Sequence, residues 1–173
     1  MMNAKRKGRL STRKKLVGMV AIAALMVGLQ QLSRFGETHA FMVNQTESLP
    51  NWAFFVMGGR FPERGEYVVF DPGQDELTRT YFGEGQAFTK IATGIPGDTV
   101  ERVGRNVLVN GELVARTKPL TKAGEPLALG PVGTVPQGCV FATTPHKDGF
   151  DSRYGHIGFV CRDRLAGVAE PIL

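Results

Sequence analysis

The sequence predicts a mainly β domain behind one N-terminal apolar helix. Three observations lead there. One uncharged apolar run lies close to the N-terminus, the remainder shows short β-like runs cut by Gly and Pro at close intervals, and no later run carries a helical period. Length limits the organisation, because 173 residues less a hydrophilic tail and one apolar segment leave roughly 130, the size of one domain. The expected division is a basic cytoplasmic tail over 1–15, a transmembrane anchor over 16–32 and a β domain over 33–173.

The tail is defined by charge. A formal charge of +5 points to nucleic acid until it is located: Lys5, Arg6, Lys7, Arg9, Arg13, Lys14 and Lys15 all precede residue 16. The rest of the chain holds 14 basic against 16 acidic residues, so a nucleic-acid partner is not expected.

The anchor follows directly. Leu16 to Leu29 carries no charge, and Gln30, Gln31 and Leu32 come before Arg34. At 1.5 Å per residue the apolar part covers about 21 Å, or about 25 Å to Leu32, short of a hydrocarbon core of about 30 Å. Snorkelling of Lys15 and Arg34 would close that gap. A transmembrane anchor, a cleaved signal peptide ending at Thr38-His39-Ala40 and a buried core helix compete; the last would show an amphipathic stripe, and this segment is apolar all round. The positive-inside rule keeps the tail in the cytoplasm and sends residues after about 35 across the membrane.

Candidate strands in the exported part are 52–56, 67–70, 88–92, 99–103, 107–109, 113–115, 139–142 and 157–161. Asn110-Gly111 between two apolar runs is the strongest short-range hairpin signal. From Thr117 to Gln137, four prolines and three glycines without regular period predict a long surface excursion, a flap or an ordered loop over the sheet. Two cysteines, Cys139 and Cys161, lie in apolar stretches; in an oxidising compartment a disulfide and a pair of buried thiols are both open. With His39, His146 and His156 they make no zinc-like spacing, so neither metal nor cofactor is expected.

Three separated segments carry the chemistry: Asn44-Gln45-Thr46-Glu47-Ser48-Leu49-Pro50, Thr89-Lys90-Ile91-Ala92-Thr93-Gly94-Ile95-Pro96-Gly97-Asp98, and Asp148-Gly149-Phe150-Asp151-Ser152-Arg153-Tyr154-Gly155. Alone, each reads as a turn, a solvated lysine or a loop with a salt bridge. In this order behind an anchor they resemble the type I signal peptidase family over roughly residues 16 to 162. Within it, the Thr46, Ser48 and Pro50 spacing, the small size and Pro145-His146 look closest to the plasmid-transfer pilin maturation peptidases.

The resemblance implies a signal-peptidase-like antiparallel β-sheet or barrel domain, a serine endopeptidase with Ser48 as nucleophile and Lys90 as general base. An unperturbed Lys is protonated at neutral pH, so Lys90 needs an apolar, partly dry site, with Phe88, Ile91 and Ile95 as candidate walls. By resemblance the oxyanion is met by the backbone N–H of Ser48 and the hydroxyl of Thr46, and Asp151, Ser152 and Arg153 support the site structurally. One departure stands out: the family usually has a Ser two residues before this Asp, bonded to the base, and here Gly149 stands there. Orientation of Lys90 then falls to a water, a backbone carbonyl or Ser152. A Ser-His-Asp triad from Ser48, His146 or His156, and Asp151 is the weaker alternative.

The implied substrate is a membrane-bound precursor bound in extended form against a sheet edge, with Ala-like side chains before the cut, and a pilin if the closer resemblance holds. Phe41, Trp52, Phe54 and Phe55 are candidates for an apolar lip touching the lipid bilayer, with half or more expected in the core. The expected location is a bacterial inner membrane, single-pass, with the catalytic domain periplasmic. The alternatives are a general signal peptidase and a non-catalytic membrane-anchored assembly factor.

Overall fold

The computed structural model describes residues 12–44, 46 and 48–172; the basic tail up to residue 11 lies outside them. The chain divides into two units at the Thr38/His39 boundary.

The first unit holds one helix, α1 (Thr12–Thr38), 27 residues long with no buried side chain. At 1.5 Å per residue it measures about 40 Å, and by length and composition it can cross a membrane. It starts within the basic segment, at Arg13, Lys14 and Lys15, and continues past Arg34, so these flanks supply the length that the apolar run lacks.

The second unit is built of antiparallel strands: β1 (His39–Val43), β2 (Ala53–Met57), β3 (Tyr67–Phe70), β4 (Phe88–Gly94), β5 (Thr99–Val103), β6 (Asn106–Val109), β7 (Glu112–Arg116), β8 (Gly133–Thr134), β9 (Cys139–Thr143), β10 (Val160–Cys161) and β11 (Leu165–Pro171). A short helix, α2 (Glu76–Phe82), joins β3 to β4. Seven strands form one sheet in the order β1-β2-β11-β3-β4-β9-β10, and four form another in the order β7-β6-β5-β8. The mainly β, antiparallel architecture expected from the sequence is therefore the one observed.

The period of two along the strands decides what each side chain meets. On β4, residues 88, 90, 92 and 94 are buried and the ones between are half-buried. Phe88 and Ala92 join Val68, Phe70, Val140 and Ala142 in one apolar cluster, which puts Lys90 on that same face. Ile91 points the other way and packs with Phe54, Val56 and Val69. It is no wall for Lys90, contrary to the expectation, because one residue along a strand is the opposite face. Ile95 lies in the turn after β4, where its N–H donates to Asp98.

The second sheet packs Val100, Val107 and Val109 against Phe141 of β9, so β9 is buried along its whole length. Asn110 and Gly111 both take positive φ, 52° and 81°, and close the β6–β7 hairpin as predicted. Asp98 joins the sheets: its carboxylate accepts from Ile95 N–H at 2.7 Å and Asn110 Nδ2 at 2.8 Å and pairs with Arg64. Burial opposes its ionisation, but these donors, Arg64 foremost, outweigh it and hold the carboxyl below its ordinary range. Cys139 and Cys161 sit opposite each other on β9 and β10, with their sulfurs 2.00 Å apart.

Of the four aromatic residues expected at an apolar lip, Phe54 is fully buried and Phe55 half-buried, whereas Phe41 and Trp52 are exposed. The excursion from Thr117 is ordered by two isolated bridges, Leu120 to Pro126 and Leu129 to Tyr154.

Candidate active site

The end of β1, the start of β4 and the two loops carrying Ser48 and Asp151 enclose a cleft of about 630 Å³, with Met42, Asn44, Ser48, Phe88, Lys90 and Gly149 among its walls. Lys90 Nζ lies 3.2 Å from Ser48 Oγ. Lys90 is 6% exposed, and its amine sits 5.4 Å from the centre of the Phe88 ring. Burial pulls its pKa from 10.5 to about 8, with Asp151 opposing the fall and Arg153 adding to it. A Lys in this state holds a substantial neutral fraction near pH 8, and a neutral amine at this distance can accept the Ser48 proton.

Thr46 Oγ1 stands 2.8 Å from Ser48 Oγ and donates to Asn44 Oδ1 at 3.2 Å. A hydroxyl rotates freely between acceptors, so Thr46 is placed to turn toward an oxyanion forming beside Ser48. Asn44 is the residue that sequence reasoning missed. Its Oδ1 also accepts from Thr46 N–H at 3.1 Å, and its Nδ2 donates to the carbonyls of Leu49 and Asn51 at 3.1 and 2.8 Å. One amide thus ties down the turn that presents Ser48. An Asn side chain readily accepts from the backbone N–H two residues on, and that general tendency was the available signal.

Asp151, Ser152 and Arg153 lie beneath the cleft, each at most 1% exposed. Arg153 clasps Asp151 with both arms, Nε to Oδ1 and Nη2 to Oδ2, each at 2.8 Å. Asp151 further accepts from Thr144 N–H at 3.0 Å, and Arg153 donates to the Thr144 carbonyl at 2.6 Å. Ser152 Oγ accepts from Ala142 N–H on β9 at 3.0 Å, and its partner lies on that strand and not at Lys90. Thr144 completes the connection by donating from Oγ1 to the Ser48 carbonyl.

The same loop explains Gly149. A Cβ there would overlap the Thr144 methyl and lie 2.9 Å from both Arg153 Nη2 and Asp151 Oδ2. His146 lines the cleft, but its Nδ1 accepts from Asp148 N–H, and His156 Nδ1 pairs with Asp75 at 2.9 Å. Neither is recorded bonding to Ser48, so the triad arrangement is not assembled among the described residues.

A family model for signal peptidase, peptidase S26, matches residues 13–173. The chain is similar to the "Probable signal peptidase I-2" of Synechocystis sp., 36% identical over 110 residues that cover 64% of this chain and 47% of that protein. The chain spans about half the length of that curated relative.

Proposed function

The chain belongs to the signal peptidase family, peptidase S26, and on that premise we propose that it is a membrane-anchored serine endopeptidase with a Ser48/Lys90 dyad that matures an exported precursor. The observation that carries this reading is the buried Lys90 amine 3.2 Å from Ser48 Oγ. Neutral Lys90 takes the Oγ proton as Ser48 attacks the scissile carbonyl. The oxyanion is met by the Ser48 N–H and the Thr46 hydroxyl, and the Lys90 ammonium returns the proton to the leaving amine. The acyl-enzyme is then resolved by water that Lys90 deprotonates, or by the substrate's own amine, which gives a cyclic product. Asp151, Ser152 and Arg153 hold the floor of the site. The anchor is α1, and the domain after it faces the periplasm of a bacterial inner membrane.

The substrate we favour is a pilin subunit of a conjugative type IV secretion system, on the Thr46, Ser48 and Pro50 spacing and the small catalytic domain. General signal peptide removal is the second reading, favoured by the likeness to a signal peptidase I of Synechocystis sp.. Membranes carrying the protein should process a co-expressed pilin precursor and leave a general secretory precursor uncut. Mass spectrometry of the product separates hydrolysis from cyclisation by about 18 Da of water. Equal cutting of both precursors removes the pilin restriction, and pilin processing that survives Ser48→Ala removes the peptidase reading.

Thr46→Val keeps the shape at an exposed position and deletes the hydroxyl. It should lower kcat about 10²-fold with KM little changed, in the range of a lost oxyanion donor. An unchanged kcat in the same assay takes Thr46 out of the oxyanion hole.

A further inference from the structure

Beyond the cleft lies a second, more apolar pocket of about 330 Å³, walled by Leu77 of α2, Leu120 and Leu127 of the excursion, and Tyr154. Phe82 and Phe150, their rings stacked 5.4 Å apart, line both this pocket and the catalytic cleft. The two spaces therefore share a wall and adjoin, so a polypeptide lying across Ser48 passes beside the second. Its roof is pinned: Tyr81 of α2 and Thr121 of the excursion share a hydroxyl hydrogen bond of 3.2 Å. Lys122 stands at the junction, lining both spaces, while the neighbouring Lys118 is already paired with Asp148.

We infer that this pocket is a substrate subsite that receives one large apolar side chain of the precursor, several residues from the scissile bond. The inference rests on the peptidase reading above and adds a specificity that small side chains at the cut do not supply. The volume lies at the lower end for ligand sites, roughly 300–1,000 Å³, which suits a side chain and not a folded partner. Desolvating a Leu or Phe against these walls is worth about tenfold or more in affinity. Lys122 favours an acidic over a basic residue next to that side chain.

The test uses the full chain in detergent micelles carrying Ser48→Ala, so that binding is read without turnover. The probes are fluorescent 15-residue peptides with an Ala-x-Ala cleavage sequence, in which Leu or Phe replaces Ser at each flanking position in turn. One position should bind about tenfold tighter with Leu or Phe. Leu120→Glu, at a half-exposed site in the bridged excursion, should erase that preference, and Leu120→Met should keep it. Asp beside the apolar residue should bind better than Lys, and Lys122→Gln should remove the difference. Equal affinity for apolar and Ser peptides, or a preference that survives Leu120→Glu, overturns the subsite. The protein with Ser48 intact tests the other reading separately: peptides bound with this preference yet never cut count against the peptidase, and peptides all cut at equal rates count against the subsite.

Discussion

Lys90→Met should lower kcat/KM by about 10²–10⁴-fold, the range for a lost general base, while raising the melting temperature at pH 7. Both effects follow from one fact, a lysine buried against Phe88 whose pKa is pulled to about 8. In the proposed mechanism the active species is the neutral amine, so the protein with Lys90 should gain activity as pH rises, with a midpoint near 8. The stability effect has the opposite origin. Between about 8 and 10.5 the unfolded chain binds a proton that the folded one does not, so stability climbs with pH across that window. Below it both states carry the proton, and the buried ammonium costs the fold on the order of 3 kcal/mol. Met has similar length and no charge to desolvate. The melting-temperature advantage of the variant is therefore largest below pH 8 and closes toward 10.5. Calorimetry from pH 6 to 10 reads the stability and a peptide assay over the same range reads the rate. A flat rate profile, or a variant that melts earlier than the parent at pH 7, would falsify the account of Lys90 as a base whose pKa is lowered by burial.

Lys90 also marks what the sequence made legible. Alternation along Phe88, Lys90 and Ala92 places a lysine on a core face, and such a lysine needs a reason to be there. The β6–β7 hairpin was equally readable, since Asn110 and Gly111 are the two residue types that tolerate the positive φ the turn demands. Other elements were hidden for physical reasons. β1 begins at His39, directly after α1, so its five residues read as the flank of the apolar segment. β11 carries Gly167 and ends at Pro171, two residues that argue against a strand, yet Gly167 is where the chain approaches Met57 too closely for any side chain. α2 spans seven residues, too few for a period to show, and only its cap Asp75, which accepts from Leu77 N–H at 3.0 Å, announces it. In the candidate site the three motifs were visible, but Asn44 was not, because its role is to reach carbonyls five and seven residues on, in a turn with no regular pattern.

Gly149→Ser, which introduces the residue that the resemblance implies at this position, should lower activity at least tenfold and destabilise the fold by about 1–3 kcal/mol, the usual cost of overpacking. A serine Cβ would overlap the Thr144 methyl, with the clasped Asp151 and Arg153 side chains also in contact, so nothing nearby is free to yield. Thr144 is the residue that must move, and it is bound at four points: N–H to Asp151, carbonyl to Arg153, and a hydroxyl that donates to the Ser48 carbonyl and accepts from His146 N–H. Any displacement is passed to Ser48. Thr144→Ala alone removes the hydroxyl bond to Ser48 and should reduce kcat severalfold, in line with about 1 kcal/mol for a hydrogen bond. Thr144→Ala with Gly149→Ser clears the methyl and makes room for the new Cβ. The pair should melt well above Gly149→Ser alone, with a coupling of about 1–3 kcal/mol in the double-mutant cycle. Thermal melts of the four proteins measure that coupling, and kcat shows whether a serine at 149 can then take over the support of Lys90. Additive melts would mean that Thr144 and Gly149 do not exclude each other's larger forms, and the glycine would need another cause. A positive coupling identifies the Thr144 methyl and a side chain at 149 as competitors for one space, so that the glycine is what lets Thr144 brace the Ser48 carbonyl.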